Sequence, residues 1–67
     1  MGRLNLKKFR IELNLKSKQM AEKTGISRSH YSNIENGKKD PTYEYMGKFE
    51  KVFEVEESKM WGLFKKA

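Results

Sequence analysis

The short connection Gly25-Ile26-Ser27 constrains the fold more than any other feature of this chain. It joins two segments that suit helices, the first from about Ser17 to Thr24. Ser27 is a good N-cap for the second, which ends at Asn36-Gly37 because glycine readily terminates a helix. Two helices joined so tightly cannot lie antiparallel, so we expect them to cross at a steep angle.

Helical periodicity is also present before this pair. Leu6, Phe9 and Leu13 recur at spacings of three and four, and Leu4 and Ile11 widen the stripe, which predicts an amphipathic helix from about Leu4 to Leu13. Asn14 suits the left-handed position that follows such a helix. The loop 38–41 ends the third helix because proline disfavours helical geometry in the residue before it.

Two further helices are predicted after that loop. Thr42 caps a fourth helix that runs to Phe53, and Glu56 and Glu57 stand at the positive N-terminus of a fifth, about 57–64. The apolar positions of these two helices are Met46, Phe49, Val52, Phe53, Met60, Trp61, Leu63 and Phe64. The predicted fold is all α, with five short helices in a single domain that covers residues 1–67.

The aromatic residues are predicted to lie mostly in the core. Six of them fall on apolar helix faces: Phe9, Tyr31, Phe49, Phe53, Trp61 and Phe64. Core packing explains this pattern better than a platform on which single strands stack. Tyr43 and Tyr45 flank the start of the fourth helix, where a phosphate contact, a dimer contact and simple surface packing all stay open.

Positive charge is concentrated in one half of the chain. The net charge is +6, but Met1 to Lys39 holds ten basic and three acidic residues (10 − 3 = +7), and the rest holds five and six (5 − 6 = −1). This asymmetry indicates a polyanionic partner, nucleic acid first and an anionic membrane surface second. A charged face that only keeps a small protein in solution is the alternative, and charge alone does not decide between them.

The outer face of the third helix is rich in short polar residues. With Tyr31 and Ile34 facing the core, a wheel of 100° per residue places Ser29, Ser32, Asn33 and Asn36 outward, flanked by Arg28 and His30. Serine and asparagine lower helix propensity, whereas an ordinary solvated face favours Glu and Lys. Arginine, asparagine and serine form hydrogen bonds with base edges, so this face is predicted to read DNA in the major groove.

The chain resembles the phage-repressor/Cro-type (XRE) helix-turn-helix family from Leu6 to about Trp61. The most specific part is AEKTGISRSHYSNIENGKKDPT, supported by Phe9-Arg10, Leu15, Met20 and Val55. The resemblance implies a compact, lambda-repressor-like bundle of five helices, in which helices 2 and 3 form the helix-turn-helix and helix 3 enters the major groove.

The resemblance also implies a role for individual residues. Bases would be read by Arg28, Ser29, Ser32 and Asn33. Phosphates would be bound by Lys16, Ser17, Ser27, Asn36, Lys38 and Lys39. Arg10 and Glu35 would form a structural ion pair. The chain departs from the family at Lys16-Ser17, where threonine or serine followed by glutamine is common, so we expect the cap of helix 2 to shift by one residue. Glu54 replaces the usual glycine or asparagine.

Several classes of function are excluded at this stage. His30 is the single histidine and there is no cysteine, so neither a metal site nor a catalytic triad is expected. The sequence therefore predicts no enzyme, no cofactor and no small-molecule substrate. The longest apolar runs are too short to cross a membrane, which favours an intracellular protein. The family resemblance implies the cytoplasm of a bacterial or phage-infected cell, in association with the nucleoid.

The predicted function is that of a sequence-specific regulator, a repressor that binds a pseudo-palindromic operator as a homodimer. The apolar C-terminal helix, with Trp61 and Phe64, is the expected dimer interface. An antitoxin or other interaction protein, which binds a partner through the same residues and DNA secondarily, stays open as the alternative.

Overall fold

The computed structural model describes residues 2–66, which fold into five α-helices. These are α1 (Leu4–Glu12), α2 (Ser17–Thr24), α3 (Arg28–Glu35), α4 (Tyr43–Phe53) and α5 (Glu57–Phe64). No strand occurs within that described range. The prediction of an all-α fold with five short helices is confirmed, and the predicted bounds agree with the structure to within one residue.

Left-handed residues end or follow four of the helices. Asn14, after α1, has φ 59°, as predicted, and Gly25, after α2, has φ 72°. Gly37, just beyond α3, has φ 77°. Glu54 ends α4 in the same region, with φ 53° and ψ 44°, although a residue with a side chain is disfavoured there. The sequence departure at Glu54 thus falls on a backbone position that favours glycine.

The helices support α3 from behind. α2 packs against both α3 and α4, while α1 packs against α3 and α5. α4 and α5 pack against each other and close the other side of the bundle. One face of α3 is therefore held by α1 and α2.

The core is built around Phe49, which is fully buried. Its ring lies 4.7 Å from the ring of Phe53 and 5.0 Å from that of Phe64, the latter edge-on. Phe9 joins this cluster from α1, 5.5 Å from Phe53. Edge-to-face and tilted contacts at these distances stabilise aromatic pairs beyond their buried area. The remaining buried apolar residues are Leu6, Met20, Ala21, Tyr31, Ile34, Tyr45 and Met60.

The predicted apolar stripe of α1 is narrower than expected. Leu4 is 57% exposed, Ile11 54% and Leu13 45%. On a helix wheel Leu4 and Ile11 lie about 200° and 140° from the buried Leu6, so they face away from the core. Leu13 would share the face of Leu6, but α1 ends at Glu12. Apolar spacing alone predicts too wide a stripe, because it includes Leu4 and Ile11 although their angles around the helix point away from the core.

Two aromatic predictions also need correction. Trp61 was expected in the core but is 84% exposed, because it lies about 100° around α5 from the buried Met60. Tyr45 was expected near the surface but is only 5% exposed, because it precedes Phe49 by four residues and shares its face. Its hydroxyl lies 3.3 Å from Thr24 Oγ1, which itself donates to the Met20 carbonyl at 2.7 Å.

Candidate nucleic-acid interface

The turn between α2 and α3 depends on Gly25. Its backbone has φ 72° and ψ 29°, and the next amide, that of Ile26, donates to the Ala21 carbonyl at 3.0 Å. The positive φ favours glycine here, whereas the neighbouring Lys48 ammonium is the end of a flexible side chain that can move aside. Ser27 then caps α3, since its Oγ accepts from the His30 amide at 3.1 Å. These bonds fix the direction in which α3 leaves the turn.

A polar network stabilises the inner face of α3. Glu35 Oε2 accepts from the Tyr31 hydroxyl at 2.7 Å and from Arg10 Nε at 2.9 Å. Arg10 also donates to the Leu15 carbonyl at 2.9 Å, so one side chain of α1 bonds both α3 and the connection that leads to α2. The predicted ion pair between Arg10 and Glu35 is therefore present and partly buried.

This network also changes acid–base properties. The hydrogen bond with Glu35 raises the pKa of Arg10, so the guanidinium stays charged. Burial, followed by the hydrogen bond to the Glu35 carboxylate, raises the pKa of Tyr31 far above its ordinary value. The Tyr31 hydroxyl is thus protonated at neutral pH and donates to Glu35, so the three side chains are bonded to one another on the inner side of α3.

The predicted base-reading residues lie away from that network. Arg28 and Ser29 are exposed at the start of α3, while Ser32 and Asn33 are half-buried further along. Asn36 is exposed beyond the last turn, and its Nδ2 lies 3.5 Å from Ser32 Oγ. The result is a row of short donors and acceptors on the helix surface opposite the buried Tyr31 and Ile34.

At the start of α2 the expected one-residue shift of the cap is wrong. α2 begins at Ser17, and the cap position is Lys16, whose amide donates to Gln19 Oε1 at 2.8 Å. A lysine side chain has no acceptor for the helix amides, so only this half of a capping box forms. Lys16, which is exposed, and Ser17, which is half-buried, thus stand at the end of α2 where the first helix amides have no acceptor within the helix.

Two backbone amides of the loop after α3 donate to the same carbonyl group. The Asn33 oxygen accepts from the amides of Lys38 at 2.8 Å and Lys39 at 3.1 Å. The Gly37 amide donates to the Ile34 carbonyl at 3.1 Å. Because the amides of Gly37, Lys38 and Lys39 are occupied, an anion here would contact side chains, and those of Lys38 and Lys39 are exposed.

Arg3 is the residue that sequence reasoning missed. It was counted only as one basic residue, yet it is 3% exposed. Its backbone amide donates to the Glu35 carbonyl at 2.7 Å, and its guanidinium donates to the carbonyls of Ile34 and Lys39 and, from Nε at 2.8 Å, to that of Phe64. Cations near helix C-termini are favourable. No periodicity marks this position, because Arg3 precedes α1.

The burial of Arg3 and Arg10 reduces the charge available to a partner. Arg3 pairs with Asp40 at 2.8 Å and Arg10 with Glu35 at 2.9 Å. The exposed positive charges of the basic half are therefore mostly lysines, together with Arg28. The argument from charge asymmetry still holds, because the surface around α3 keeps Lys38, Lys39 and Arg28.

Of the two residues predicted for the dimer interface, one is buried and the other is exposed. Phe64 is only 9% exposed and packs edge-on against Phe49, so it is a core residue and its expected place in a dimer interface needs correction. Trp61 stands on the surface and lines a groove between α4 and α5, with Tyr43 on the opposite wall at 96% exposure. The floor of the groove includes Met46 and Met60.

Comparison with known proteins identifies the domain type. A family model described as "Helix-turn-helix" (HTH_3) matches residues 6–60, which include all of α2 and α3 and the turn between them. The chain belongs to this helix-turn-helix family. Members of the helix-turn-helix family are DNA-binding regulators of transcription, and the resemblance to phage-repressor/Cro-type proteins is thereby confirmed. Neither the curated proteins nor the solved structures searched contain a match.

Residues 2–66 contain neither a metal-binding cluster nor a membrane-spanning helix. Between residues 2 and 66 no group of three or more His, Cys, Asp or Glu side chains is arranged to hold a metal ion. Within the same range no helix has the length and apolar character that crossing a bilayer requires.

Proposed function

We propose that this helix-turn-helix protein is a sequence-specific regulator of transcription that represses by occupying a pseudo-palindromic operator as a homodimer. It would act in the cytoplasm of a bacterial or phage-infected cell, on the nucleoid. The domain of residues 1–67 would be the DNA-binding unit, with α3 in the major groove.

The observation that carries this proposal is the contrast between the two faces of α3. Behind it, Tyr31, Ile34 and Glu35 are buried, and the Glu35 carboxylate accepts hydrogen bonds from both Arg10 and Tyr31, so the helix is firmly supported. In front, the side chains are short hydrogen-bonding groups that let a helix approach base edges closely. We assign base reading to this front row: Arg28, Ser29, Ser32 and Asn33.

Phosphate binding is assigned to the two ends of the helix pair and to the turn between the helices. Lys16 and Ser17 lie at the start of α2, where helix amides and dipole favour an anion. Ser27 keeps its hydroxyl proton for a phosphate, because as a cap it uses only the oxygen as acceptor. Beyond α3 the contacts would be made by the side chains of Asn36, Lys38 and Lys39, since the loop amides are already bonded.

The groove between α4 and α5 supports the dimer. Trp61 and Tyr43 expose large aromatic surfaces on its walls, and such residues are enriched in protein interfaces. The half of the chain that contains this groove has a net charge near zero (5 − 6 = −1), so two copies would not repel one another there. A two-fold dimer would place two α3 helices about 34 Å apart, one turn of DNA.

The test is a selection of binding sites from a randomised duplex pool, followed by affinity measurements at several salt concentrations. We expect the wild-type protein to enrich a symmetric site. Asn33→Ala should lose about 1–3 kcal/mol of discrimination at particular base pairs. Lys38→Ala should weaken all duplexes alike and reduce the salt slope by about one.

Lys51→Ala provides a matched control for these variants. Lys51 is an exposed lysine of α4, outside the assigned contacts, so its removal should change affinity far less than that of Lys38. If no duplex is enriched over random competitor, the proposed function is wrong. If Asn33→Ala and Lys38→Ala have the same effect, the assignment of base and phosphate roles is wrong.

The exposure of Trp61 favours a second candidate, an antitoxin or interaction module that binds another protein through the groove. The two candidates differ in which face the protein needs for its effect. Under this second function, Trp61→Ser would abolish activity in the host cell, whereas Asn33→Ala would leave it intact. Under the proposed function, Asn33→Ala also impairs regulation, and so does Trp61→Ser because it prevents dimerisation. The response to Asn33→Ala therefore separates the two candidates.

A further inference from the structure

Arg3 connects three segments that are distant in the sequence. Its guanidinium donates to the carbonyl oxygens of Ile34 and Lys39, to that of Phe64 and, at 2.8 Å, to Asp40 Oδ1. The end of α3, the loop after it and the end of α5 therefore meet on one side chain. Gly2 allows this approach, since a Cβ there would lie 3.1 Å from the Glu35 carbonyl oxygen.

These bonds leave Arg3 little capacity to contact DNA itself. Four of the five N–H donors of a guanidinium have acceptors here, and the residue is 3% exposed. Asp40, by contrast, is an exposed loop residue whose Oδ1 also forms an ion pair with Lys66 Nζ, at 3.1 Å. Hydrogen bonds from Lys66 and then from Arg3 lower the pKa of the Asp40 carboxyl, so it is ionised at neutral pH.

We propose that Arg3 and Asp40 form a clip that holds the loop 36–40 in the conformation required for DNA binding. In this proposal, which depends on the proposed function, Arg3 and Asp40 are positioning residues for the phosphate contacts of Lys38 and Lys39. The clip bonds the loop both at the Lys39 carbonyl and at the Asp40 side chain. The amides of Lys38 and Lys39 both donate to the Asn33 carbonyl in the last turn of α3. Without the clip, the loop at Lys39 and Asp40 would be held, among residues 2–66, by those bonds to α3 and by the exposed ion pair between Asp40 and Lys66.

The clip also explains why an acidic residue is acceptable beside the proposed phosphate contacts. A free carboxylate next to Lys38 and Lys39 would repel the DNA backbone. Here Asp40 lies against two cationic groups, those of Arg3 and Lys66, which offset its charge. Its effect on binding should therefore come through the loop conformation more than through repulsion.

The test asks whether Asp40→Ala strengthens or weakens binding to DNA. Asp40→Ala removes a negative charge, which by electrostatics alone should strengthen binding to DNA, whereas loss of the clip should weaken it. We expect Asp40→Ala to bind the selected duplex about tenfold more weakly, with a salt slope reduced by up to about two and an unchanged ranking of sites. Asp40→Asn, which keeps an acceptor oxygen for Arg3, should recover part of the affinity.

Glu44→Ala is the matched control. It removes one exposed acidic residue at the start of α4, outside the clip, and should leave affinity unchanged or slightly higher. Variants of Arg3 are unsuitable as the main test because they would also leave buried carbonyls unsatisfied. Asp40 is 75% exposed, so its variants should fold, and thermal unfolding followed by circular dichroism checks this.

A readout without DNA tests the same clip. Amide hydrogen exchange at Lys38 and Lys39 should be several-fold faster in Asp40→Ala than in Glu44→Ala. If wild type binds DNA and Asp40→Ala binds as tightly as Glu44→Ala, with equal exchange, the clip alone is overturned. If wild type shows no preference for any duplex, the proposed function fails, and the positioning role fails with it.

Discussion

Glu54 is the residue at which local backbone preference is most clearly violated. It ends α4 with φ 53° and ψ 44°, and its carboxylate lies at the negative end of the helix dipole. The left-handed region costs a residue with a Cβ roughly 1–2 kcal/mol. We expect Glu54→Gly to raise the free energy of unfolding by about 1 kcal/mol, measured by urea denaturation.

Lys51→Gly is the control, because it places glycine inside the same helix. It should lower the free energy of unfolding by about 1 kcal/mol. The prediction for Glu54 is wrong if Glu54→Gly unfolds at the same urea concentration as wild type or a lower one.

Glu35 is the residue on which the support of α3 depends. Glu35→Gln leaves the Arg10 guanidinium partly buried without a counter-charge. We expect this variant to lose about 2–3 kcal/mol of stability in urea denaturation. Glu12→Gln changes an exposed acidic residue at the end of α1 and should alter stability by less than about 0.5 kcal/mol. An equal loss in both variants would contradict the role given to Glu35.

Tyr31 and Tyr45 should make the free energy of unfolding fall as the pH rises into the alkaline range. Burial raises the pKa of both hydroxyls in the folded protein. Tyrosines of the unfolded chain ionise near pH ~10, so the stabilisation is fully present below that pH and is lost as the pH rises further. Tyr45→Phe should reduce the slope of stability against pH by up to about 1.4 kcal/mol per pH unit, measured by urea denaturation between about pH 9 and 11. An unchanged slope would contradict this.

At the scale of the element, α2 has only one of the two hydrogen bonds of a capping box. Lys16 donates its amide to Gln19, but its side chain cannot accept the amide that a serine or threonine would bind. Lys16→Thr should therefore raise the free energy of unfolding by about 1 kcal/mol. Because the same change removes an assigned phosphate contact, affinity for DNA should fall while stability rises.

Lys18→Thr separates these two effects. It removes one lysine from the first turn of α2 without creating a cap, so it should lower stability slightly. Thermal unfolding and DNA affinity are measured for both variants. A Lys16→Thr protein that is no more stable than Lys18→Thr would show that the cap position is not limiting.

At the scale of the whole molecule, the exposed Trp61 permits a direct test of the dimer. It is the single tryptophan, so its fluorescence should shift to shorter wavelength as two copies cover it. Trp61→Ser should abolish dimerisation in sedimentation measurements over a wide range of concentration. Its effect on unfolding of the monomer should be below about 0.5 kcal/mol. A wild-type protein that sediments as a monomer both alone and on DNA would contradict the dimer.

How far the sequence predicts this fold depends on the range of the interactions involved. Helix ends at Asn14, Gly25 and Ser27 follow from local backbone chemistry, and each lies where it was predicted. The role of Arg3 depends on carbonyl groups 31 to 61 residues away, which no local pattern encodes. Trp61 differs from both: α5 lies where the sequence predicts it, but packing against the bundle decides which side of α5 is buried, and Trp61 lies on the exposed side.

The loop bonds at Asn33 have a practical consequence. The main-chain oxygen of Asn33 holds the loop, while its side chain belongs to the front of α3. Substituting this side chain therefore leaves the loop scaffold in place. Under the proposed docking, the preferred operator could be rewritten at this single position by design, and the anchoring of the protein on the DNA backbone would be inherited unchanged.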